Sequence, residues 1–597
     1  MKLLSGLEIR LYPEKSQCSI CGRKTKVLKT DRKTCYSFGL GKFILISGCA
    51  FCSDHKRVEI GRQTKIIRYE SNLATMLVEK GFRVTFDLLV KIGRMRYDDH
   101  RQLEEIQSYL KCSSARIDLP LSTVSLVAKR FLESCKNLHE ANEATIIRDI
   151  AINGGYFLHF DGSTEQKCGQ CSLVFMDSRS GHILDSSMVK SESYDTIKQS
   201  LEKIKAKFGT PLVVVSDLRP GFVRVCRDIF GEDVKHILCH YHFLRTFKDE
   251  FYEDHQFIKT CITQKWQLQS GLSKQLKALG NLKVKPQGSA KELKTIGEIE
   301  DCWRKTGDTL GAYQDTLRWI LNYKQESSGK GVPFDLPFVD LYHRLLAGKD
   351  LIDRIFAAAT GELRMKYYLH GFCAVQEKTN NLGHNEAGFR KALNHLQYAK
   401  KWFQKLRAVL YLEGQSEEDR DLAPLSKMYH LTTEEAEMIP LRLSGFLQSV
   451  TQELSCCKHP DRRAFLEKMQ GQVKKYRPNL RLPTNSITID GKESLLVPPR
   501  TNNCMETQFR YIKSLLRRCT GRSKLPKEFG SVGALLPYYL TMRAHPSFKA
   551  IFQNDQSLSD EFARIVMRES QSPQNVIAFP TRPEKSDEPM LAGALGA

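Results

Sequence analysis

The stretch from Tyr156 to Phe222 constrains the fold most, because short apolar segments alternate there with Gly, Asp and Ser. The segments predict three strands, a helix and a fourth strand, at 156–160, 171–176, 182–189, 192–207 and 212–215. In a mixed sheet with this order of elements, the first and fourth strands are neighbours. We therefore expect the residues that end these two strands to face each other.

An aspartate follows each of the two strands, Asp161 after the first and Asp217 after the fourth. Two close carboxylates repel each other unless cations neutralise them, and carboxylate oxygens are suitable ligands for Mg²⁺ or Mn²⁺. The alternative is that each aspartate only forms a turn, since Asp-Gly and Ser-Asp are favourable turn sequences. The paired placement favours a divalent metal site.

A very basic helix near residue 510 carries one acid, Glu506, in its first turn. The cations on the same stripe of this helix are Arg510, Lys513 and Arg517. The residue that caps the helix is Thr501, Asn502 or Asn503. The pattern indicates a metal-binding Glu506 backed by phosphate-binding cations, although a helix that simply faces nucleic acid would explain the cations alone. Asp490 and Glu493 compete with Glu506 for the role of third carboxylate.

Cys239 and His242 form a Cys-x-x-His sequence shortly after Asp217. One interpretation is half of a zinc site, with Cys168 and Cys171 as a possible partner pair. We favour a structural role for Cys239 and His242, packed against the active site.

Two Cys-x-x-Cys pairs near the start of the chain, Cys18/Cys21 and Cys49/Cys52, predict a structural four-thiolate zinc site. His55 is an alternative to one of the thiolates, and unpaired buried thiols are the alternative to a metal. The basic residues between the two pairs suit phosphate contact, and those we expect to bind DNA are Lys24, Lys26, Lys29, Arg32 and Lys33.

Residues 85–136 predict three helices, the last of them with an apolar face that includes Val124, Val127 and Phe131. In a helix-turn-helix this third helix would enter the major groove, and the residues off its apolar face are Ser125, Lys129 and Arg130. An ordinary helical bundle explains the pattern equally well.

The composition favours a polyanionic partner, because 91 Lys and Arg stand against 68 Asp and Glu in 597 residues, a formal charge of +23. Nucleic acid is the first candidate and an anionic membrane surface the second. We expect no membrane association, since the sequence shows no apolar run long enough to span a bilayer and no secretory signal. The expected location is the bacterial cytoplasm, in association with the nucleoid.

The predicted fold class is multidomain α+β. The predicted domains are a zinc-ribbon-like module (1–60), a helical DNA-binding region (61–150), a first core part (151–242), an all-α insertion (243–480), a second core part (481–545), and a C-terminal helix with a loose tail (546–597).

The ordered set of Asp161, Asp217, Cys239 with His242, a long helical segment and Glu506 resembles the RNase H-like DDE transposases. The most similar group contains the Mutator-like elements, the hAT elements and related bacterial insertion-sequence transposases. In this group a Cys-x-x-His follows the second aspartate, and a large helical insertion precedes the catalytic glutamate. The resemblance covers roughly residues 1–545.

The resemblance implies an RNase H-like core in which Asp161, Asp217 and Glu506 are catalytic and hold two Mg²⁺ (or Mn²⁺) ions. It implies DNA strand cleavage and strand transfer, with inverted-repeat transposon ends and target DNA as double-stranded partners, and a dimer or larger assembly. One structural Zn²⁺ would belong to the N-terminal module. Two other classes stay open: a domesticated, catalytically silent DNA-binding protein, and an RNase H-fold structure-specific nuclease that cuts without joining.

Overall fold

The computed structural model of the chain is a mixed α+β protein, as the sequence predicts. It describes residues 7–54, 57–60, 63–66, 68–281, 295–325, 327–328, 330–361, 387–412, 431–489 and 492–571. Among these residues, no helix is both long and apolar enough to cross a membrane.

The N-terminal region is a small sheet with a hairpin beside it. Its strands are β1 (Glu8–Leu11), β2 (Lys26–Ser37), β3 (Gly41–Phe51), β4 (Arg57–Ile60), β5 (Gln63–Ile66) and β6 (Tyr69–Glu70). β3 is central, parallel to β1 and antiparallel to β2 and β6, whereas β4 and β5 pair only with each other. The first seven residues of β2 are exposed on both faces, so this end of the strand extends beyond the module's core.

Five helices follow, and they confirm the three that the sequence predicts. They are α1 (Asn72–Leu77), α2 (Phe86–Tyr97), α3 (Leu103–Cys112), α4 (Leu121–Ala141) and α5 (Glu143–Ile152). α4 buries most of one side against α2, α3 and helices from the C-terminal region.

The central sheet has five strands, and its elements are β7 (Phe157–Thr164), β8 (Cys171–Asp177), β9 (Ile183–Val189), α6 (Tyr194–Phe208), β10 (Val213–Ser216), α7 (Pro220–Phe230) and β11 (Lys235–Leu238). The strand order is β11-β10-β7-β8-β9. β7, β10 and β11 are parallel, while β8 is antiparallel to β7 and β9. The first and fourth strands of this segment are therefore neighbours, as predicted.

The two faces of the sheet belong to two hydrophobic cores, because successive side chains of a strand point to opposite faces. Leu158 and Val214 pack into a core with helices of residues 86–152 and 503–566. Phe157 and Val213 pack into a second core with the helices that follow β11. The predicted boundary at residue 150 is therefore not a boundary of the core, since helices on both sides of it share one apolar interior.

Between residues 243 and 480, the described elements are helices only. They comprise α8 (His240–Arg245), α9 (Lys248–Thr260), a π-helical turn (Cys261–Lys265), α10 (Leu268–Asn281), α11 (Ile296–Thr306), α12 (Thr309–Leu321), α13 (Pro337–Ala358), α14 (Ala387–Val409), α15 (Thr433–Cys456), α16 (Pro460–Tyr476) and a 3₁₀ turn (Arg477–Asn479).

The chain then returns to the central sheet. The elements of this part are β12 (Asn485–Ile489), β13 (Lys492–Leu496), α17 (Asn503–Thr520), α18 (Pro526–Val532), α19 (Leu536–Ala544), a 3₁₀ turn (Pro546–Phe548), α20 (Lys549–Phe552) and α21 (Asp555–Gln571). α17 packs against β7, which brings the start of this helix to the strand of Asp161.

Candidate active site

Asp161 and Asp217 occupy equivalent positions on neighbouring parallel strands. His159 of β7 is paired with Val215 of β10, and each aspartate comes two residues later in its own chain segment. Both residues are buried, with 7% of Asp161 and 9% of Asp217 exposed. The structure thus brings together the two carboxylates that the strand order predicts to be close.

The surroundings of Asp161 disfavour its ionised form. Burial, followed by the charge of Asp217, raises the pKa of Asp161 to about 7, and Glu506 adds a smaller effect in the same direction. A bound cation would relieve this repulsion.

The Cys239/His242 pair follows β11 and contacts both Asp217 and Glu506 through His242. The Cys239 amide donates to the Ser216 carbonyl at 2.8 Å, and one helical turn later His242 lies beside the carboxylates. His242 Nδ1 is 2.7 Å from Asp217 Oδ1, and its Nε2 is 3.8 Å from Glu506 Oε1. Burial alone would lower the pKa of His242, but its contacts with Asp217 and Cys239 outweigh burial and raise it to about 11. The imidazolium is therefore a cation between two acids.

Glu506 lies in the first turn of α17, on the side that faces His242. Its carboxylate contributes to the raised pKa of Asp161, so the three predicted acids share one site. Their ligand oxygens do not all lie within 4.8 Å of one another in this conformation. Asn502 is the cap residue by position, but its side chain makes no capping hydrogen bond.

The cations of α17 divide into two groups. Lys513 Nζ donates to the Thr164 carbonyl at 2.6 Å and lies 3.7 Å from Glu165, so it attaches the helix to β7. The other two predicted cations, Arg510 and Arg517, are exposed and accessible to a phosphate backbone.

Glu192 and Arg219 are two charged residues of the site that sequence reasoning missed. Glu192 precedes α6, whose cap is Ser193, instead of lying inside the helix as predicted. Its side chain is 8% exposed and forms an ion pair with Arg219, which is half exposed and follows Asp217 by two residues. A Cβ at position 162 would overlap the Glu192 carboxylate, so a larger residue directly after Asp161 would displace Glu192. The Asp-Gly dipeptide was the one available signal.

Of the two competing carboxylates, only Glu493 belongs to the described residues. Glu493 is exposed on β13, where it accepts a hydrogen bond from Ser486, and Asp490 lies outside the described residues. Among the described residues, neither Cys168 nor Cys171 belongs to a group of three closely spaced metal-ligating atoms.

A second candidate metal site lies in the N-terminal module, where the sulfur atoms of Cys18, Cys21 and Cys52 all lie within 4.8 Å of one another. The Cys18–Cys21 segment is a tight turn in which the Ile20 amide donates to Cys18 Sγ at 3.5 Å. The Tyr69 hydroxyl also donates to Cys18 Sγ, and this contact lowers the pKa of the thiol to about 6. A thiolate-forming turn of this kind suits Zn²⁺.

Cys49, the fourth predicted thiol, is not in this group. It lies within β3, whereas Cys52 comes directly after that strand. Burial and then the charge of Glu70 raise the pKa of Cys49, which disfavours its thiolate. The structure groups three of the four predicted thiols, and four thiolates at one ion stay a prediction; the alternative ligand, His55, lies outside the described residues.

The predicted DNA-binding residues of the N-terminal module are mostly accessible. The exposed ones are Lys24, Lys26, Lys29 and Arg32. Arg32 forms an ion pair with Glu8 at 2.8 Å, and Lys33 is half-buried and donates to the Phe82 carbonyl at 3.2 Å.

The predicted recognition helix, α4, offers less to DNA than expected. Ser125 is exposed, and Lys129 is 3.7 Å from Glu133. Arg130 is only 18% exposed and is bound by Glu79 and Glu133, which argues against a DNA contact by Arg130. α4 also packs against α2, α3 and helices of the C-terminal region, an arrangement that the helical-bundle alternative describes.

A third group of potential ligands, Asp149, His182 and His545, is explained by hydrogen bonding. His182 Nε2 is 2.9 Å from Asp149, while His545 Nε2 donates to the Ser180 carbonyl and its Nδ1 accepts from the Ser547 amide. The two imidazole rings stack with centroids 3.9 Å apart, an arrangement that suits packing better than binding to one ion. This group joins α5 to the end of α19.

No protein-family profile and no curated protein matches the chain. Among solved structures, it is similar to the Drosophila P element transposase strand transfer complex, at 10% identity and a TM-score of 0.30. The alignment covers 83% of this chain and 96% of that one. At this level, the likeness carries no argument about residue roles.

Proposed function

We propose that the protein is a DNA transposase with an RNase H-like core, and that Asp161, Asp217 and Glu506 are its catalytic residues. The observation that carries the proposal is the equivalent placement of the two aspartates on neighbouring parallel strands, with the helix of Glu506 packed on one of these strands. The strand order and directions are those expected of such a core.

The residues present fit a divalent metal. The donor set consists of hard carboxylate oxygens, two of the three carboxylates are buried, and the raised pKa of Asp161 shows that its ionised form is disfavoured without a bound cation. Two Mg²⁺ or Mn²⁺ ions bound there would supply activation of the attacking oxygen and stabilisation of the leaving oxygen in an in-line displacement.

The protein's own groups would orient these acids and bind the substrate. His242 holds Asp217 from one side, and the Glu192 carboxylate holds Arg219 beside the same strand end. Half of the Arg219 side chain stays accessible, as do Arg510 and Arg517, so these guanidinium groups are suited to grip the phosphates of a DNA strand.

The N-terminal module would contribute DNA recognition. Cys18, Cys21 and Cys52 fit a structural Zn²⁺ ion, which would stiffen the base of the exposed β2 strand. The basic residues of that strand belong to the +23 surplus of the whole chain, which favours a polyanionic partner. A dimer or larger assembly on paired DNA ends belongs to the same proposal.

The proposal is tested by nicking of supercoiled plasmid DNA in Mn²⁺ with the full-length protein. We expect Asp161→Asn, Asp217→Asn and Glu506→Gln to abolish nicking while DNA binding is retained. Glu493→Gln is the matched control, because this carboxylate is exposed and accepts a hydrogen bond from Ser486 on the neighbouring strand. Nicking by Glu506→Gln at the wild-type rate would remove Glu506 from the catalytic set.

A second assay separates the classes of function. Bound DNA would be selected from random duplexes, and a pre-cleaved duplex that ends in the selected sequence would be offered for joining to a plasmid. Metal-dependent joining supports a transposase. Cutting without joining would identify a nuclease, and binding with neither activity a catalytically silent DNA-binding protein.

A further inference from the structure

We infer that Asn502 is a positioning residue that holds the Glu506 helix on the strand of Asp161; the inference rests on the proposed function. Asn502 is completely buried, with 0% of its surface exposed. Its side-chain amide donates to the Phe160 carbonyl at 2.9 Å, and its Oδ1 lies 3.1 Å from His159 Nδ1. Both partners belong to β7, directly before Asp161.

The direction of these hydrogen bonds follows from their chemistry. The Phe160 carbonyl only accepts, so the amide nitrogen of Asn502 must face it and the amide oxygen must face His159. His159 Nδ1 therefore carries a proton and donates. An aspartate of the same shape has no N–H to give to Phe160, so position 502 requires the amide.

The backbone of Asn502 joins two more segments of the site. Its N–H donates to Cys239 Sγ at 3.2 Å, and its carbonyl accepts from the Glu506 amide at 3.2 Å. Cys239 is itself bonded to Ser216, the residue before Asp217. All three acid-bearing segments are thus connected through one residue.

The Asn502 side chain does not cap α17. An asparagine at a helix cap ordinarily accepts a hydrogen bond from an amide of the first turn. Here the side chain makes no such bond and bonds to β7 instead, so its contribution is to the placement of α17 on the sheet. This contribution gives a role to one residue of the Asn502-Asn503 pair, which the sequence pattern assigns only to capping.

The test is Mn²⁺ binding to the full-length protein by isothermal titration calorimetry, without DNA, together with the thermal unfolding midpoint. The variants are Asn502→Ala, which removes both side-chain bonds, and the nearly isosteric Asn502→Leu, which removes both bonds, keeps the volume of the side chain and adds no charge. Asn503→Ala is the matched control, one residue later and without a bond to β7. Asp161→Asn reports the contribution of the site itself.

Residues that orient metal ligands typically change metal affinity by 10–100-fold when substituted. We expect both Asn502 variants to bind Mn²⁺ at least about tenfold more weakly, with Asn503→Ala unchanged. A folded Asn502 variant with wild-type affinity would overturn the inference, even if its unfolding midpoint fell, because a purely structural role lowers stability alone. If Asn502→Ala does not fold, the nearly isosteric variant decides.

A failure of the proposed metal site can be distinguished from a failure of the inference about Asn502. Absence of Mn²⁺ binding by the wild type, or wild-type affinity in Asp161→Asn, would refute the metal site without any reference to Asn502.

Discussion

Replacing Asp161 by asparagine is expected to stabilise the metal-free core while removing its response to metal. The pKa of Asp161 rises from its ordinary 3.8 to about 7 in the folded protein, because of burial and then the charge of Asp217. The folded state thus binds this proton more tightly than the unfolded state does, and stability is lost as the pH rises from about 4 through 7. At about 1.36 kcal/mol per pH unit, the ionised carboxylate costs ~4 kcal/mol above pH 7 and ~2 kcal/mol at pH 5.

The assay is hydrogen–deuterium exchange of peptides that cover β7 and α17, in buffer without divalent metal. Exchange reports opening of this core directly, which avoids treating a multidomain chain as a two-state system. We expect exchange in Asp161→Asn to slow by up to about 10³-fold at pH 8 and by much less at pH 5. Added Mg²⁺ should then protect the wild type and leave the variant unchanged.

Asp195→Asn is the control, because Asp195 is an exposed aspartate in the first turn of α6. Exchange in Asp161→Asn at pH 8 that equals or exceeds the wild-type rate would refute the argument that the site stores unfavourable negative charge. An equal slowing in Asp195→Asn would show that the effect comes from net charge instead of burial.

Two further predictions concern the N-terminal half. Cys52→Ser should lose bound zinc in elemental analysis of the purified protein, whereas Cys49→Ser should keep one ion, since only Cys52 lies with Cys18 and Cys21; zinc loss in Cys49→Ser alone would reverse the assignment. Lys29→Ala should weaken DNA binding and lower the slope of log affinity against log salt by about 1. Arg130→Ala should leave that slope unchanged, because Glu79 and Glu133 already bind its guanidinium.

The main elements of the fold could be predicted because they depend on local pattern and on general rules of connection. Apolar segments and turn residues identify β7 and β10, and the order of elements makes the two strands neighbours. The pairing of Asp161 with Asp217 follows from that order. The helix of Glu506 was equally predictable, since its apolar stripe has the helical period and two prolines precede it.

Some contacts of the predicted residues cannot be derived from local patterns, because they join residues that are distant in the sequence or depend on local backbone geometry. Arg130 is bound by Glu79, 51 residues away, and no local pattern reveals that partner. Cys49 belongs to a Cys-x-x-Cys pair, but it lies in a strand whereas Cys18–Cys21 is a turn, and the spacing alone does not distinguish these two geometries. Asn502 donates a hydrogen bond to Phe160, which lies 342 residues earlier in the chain, and no local pattern reveals this contact.

The segments that flank the long helical region, residues 239–242 and 500–506, meet beside the three acids. The His240 amide donates to the Arg500 carbonyl at 3.0 Å, and the Asn502 amide donates to Cys239 Sγ. An inserted segment whose ends are adjacent can change in length at small cost to the host fold, since closing a longer loop adds little entropy. These two flanking segments also carry His242 and Glu506. A displacement of the helical region that strains their contact would therefore move the side chains beside Asp217. The Cys-x-x-His spacing suits this contact. One helical turn separates Cys239, whose thiol accepts the Asn502 N–H, from His242, whose imidazole contacts Asp217.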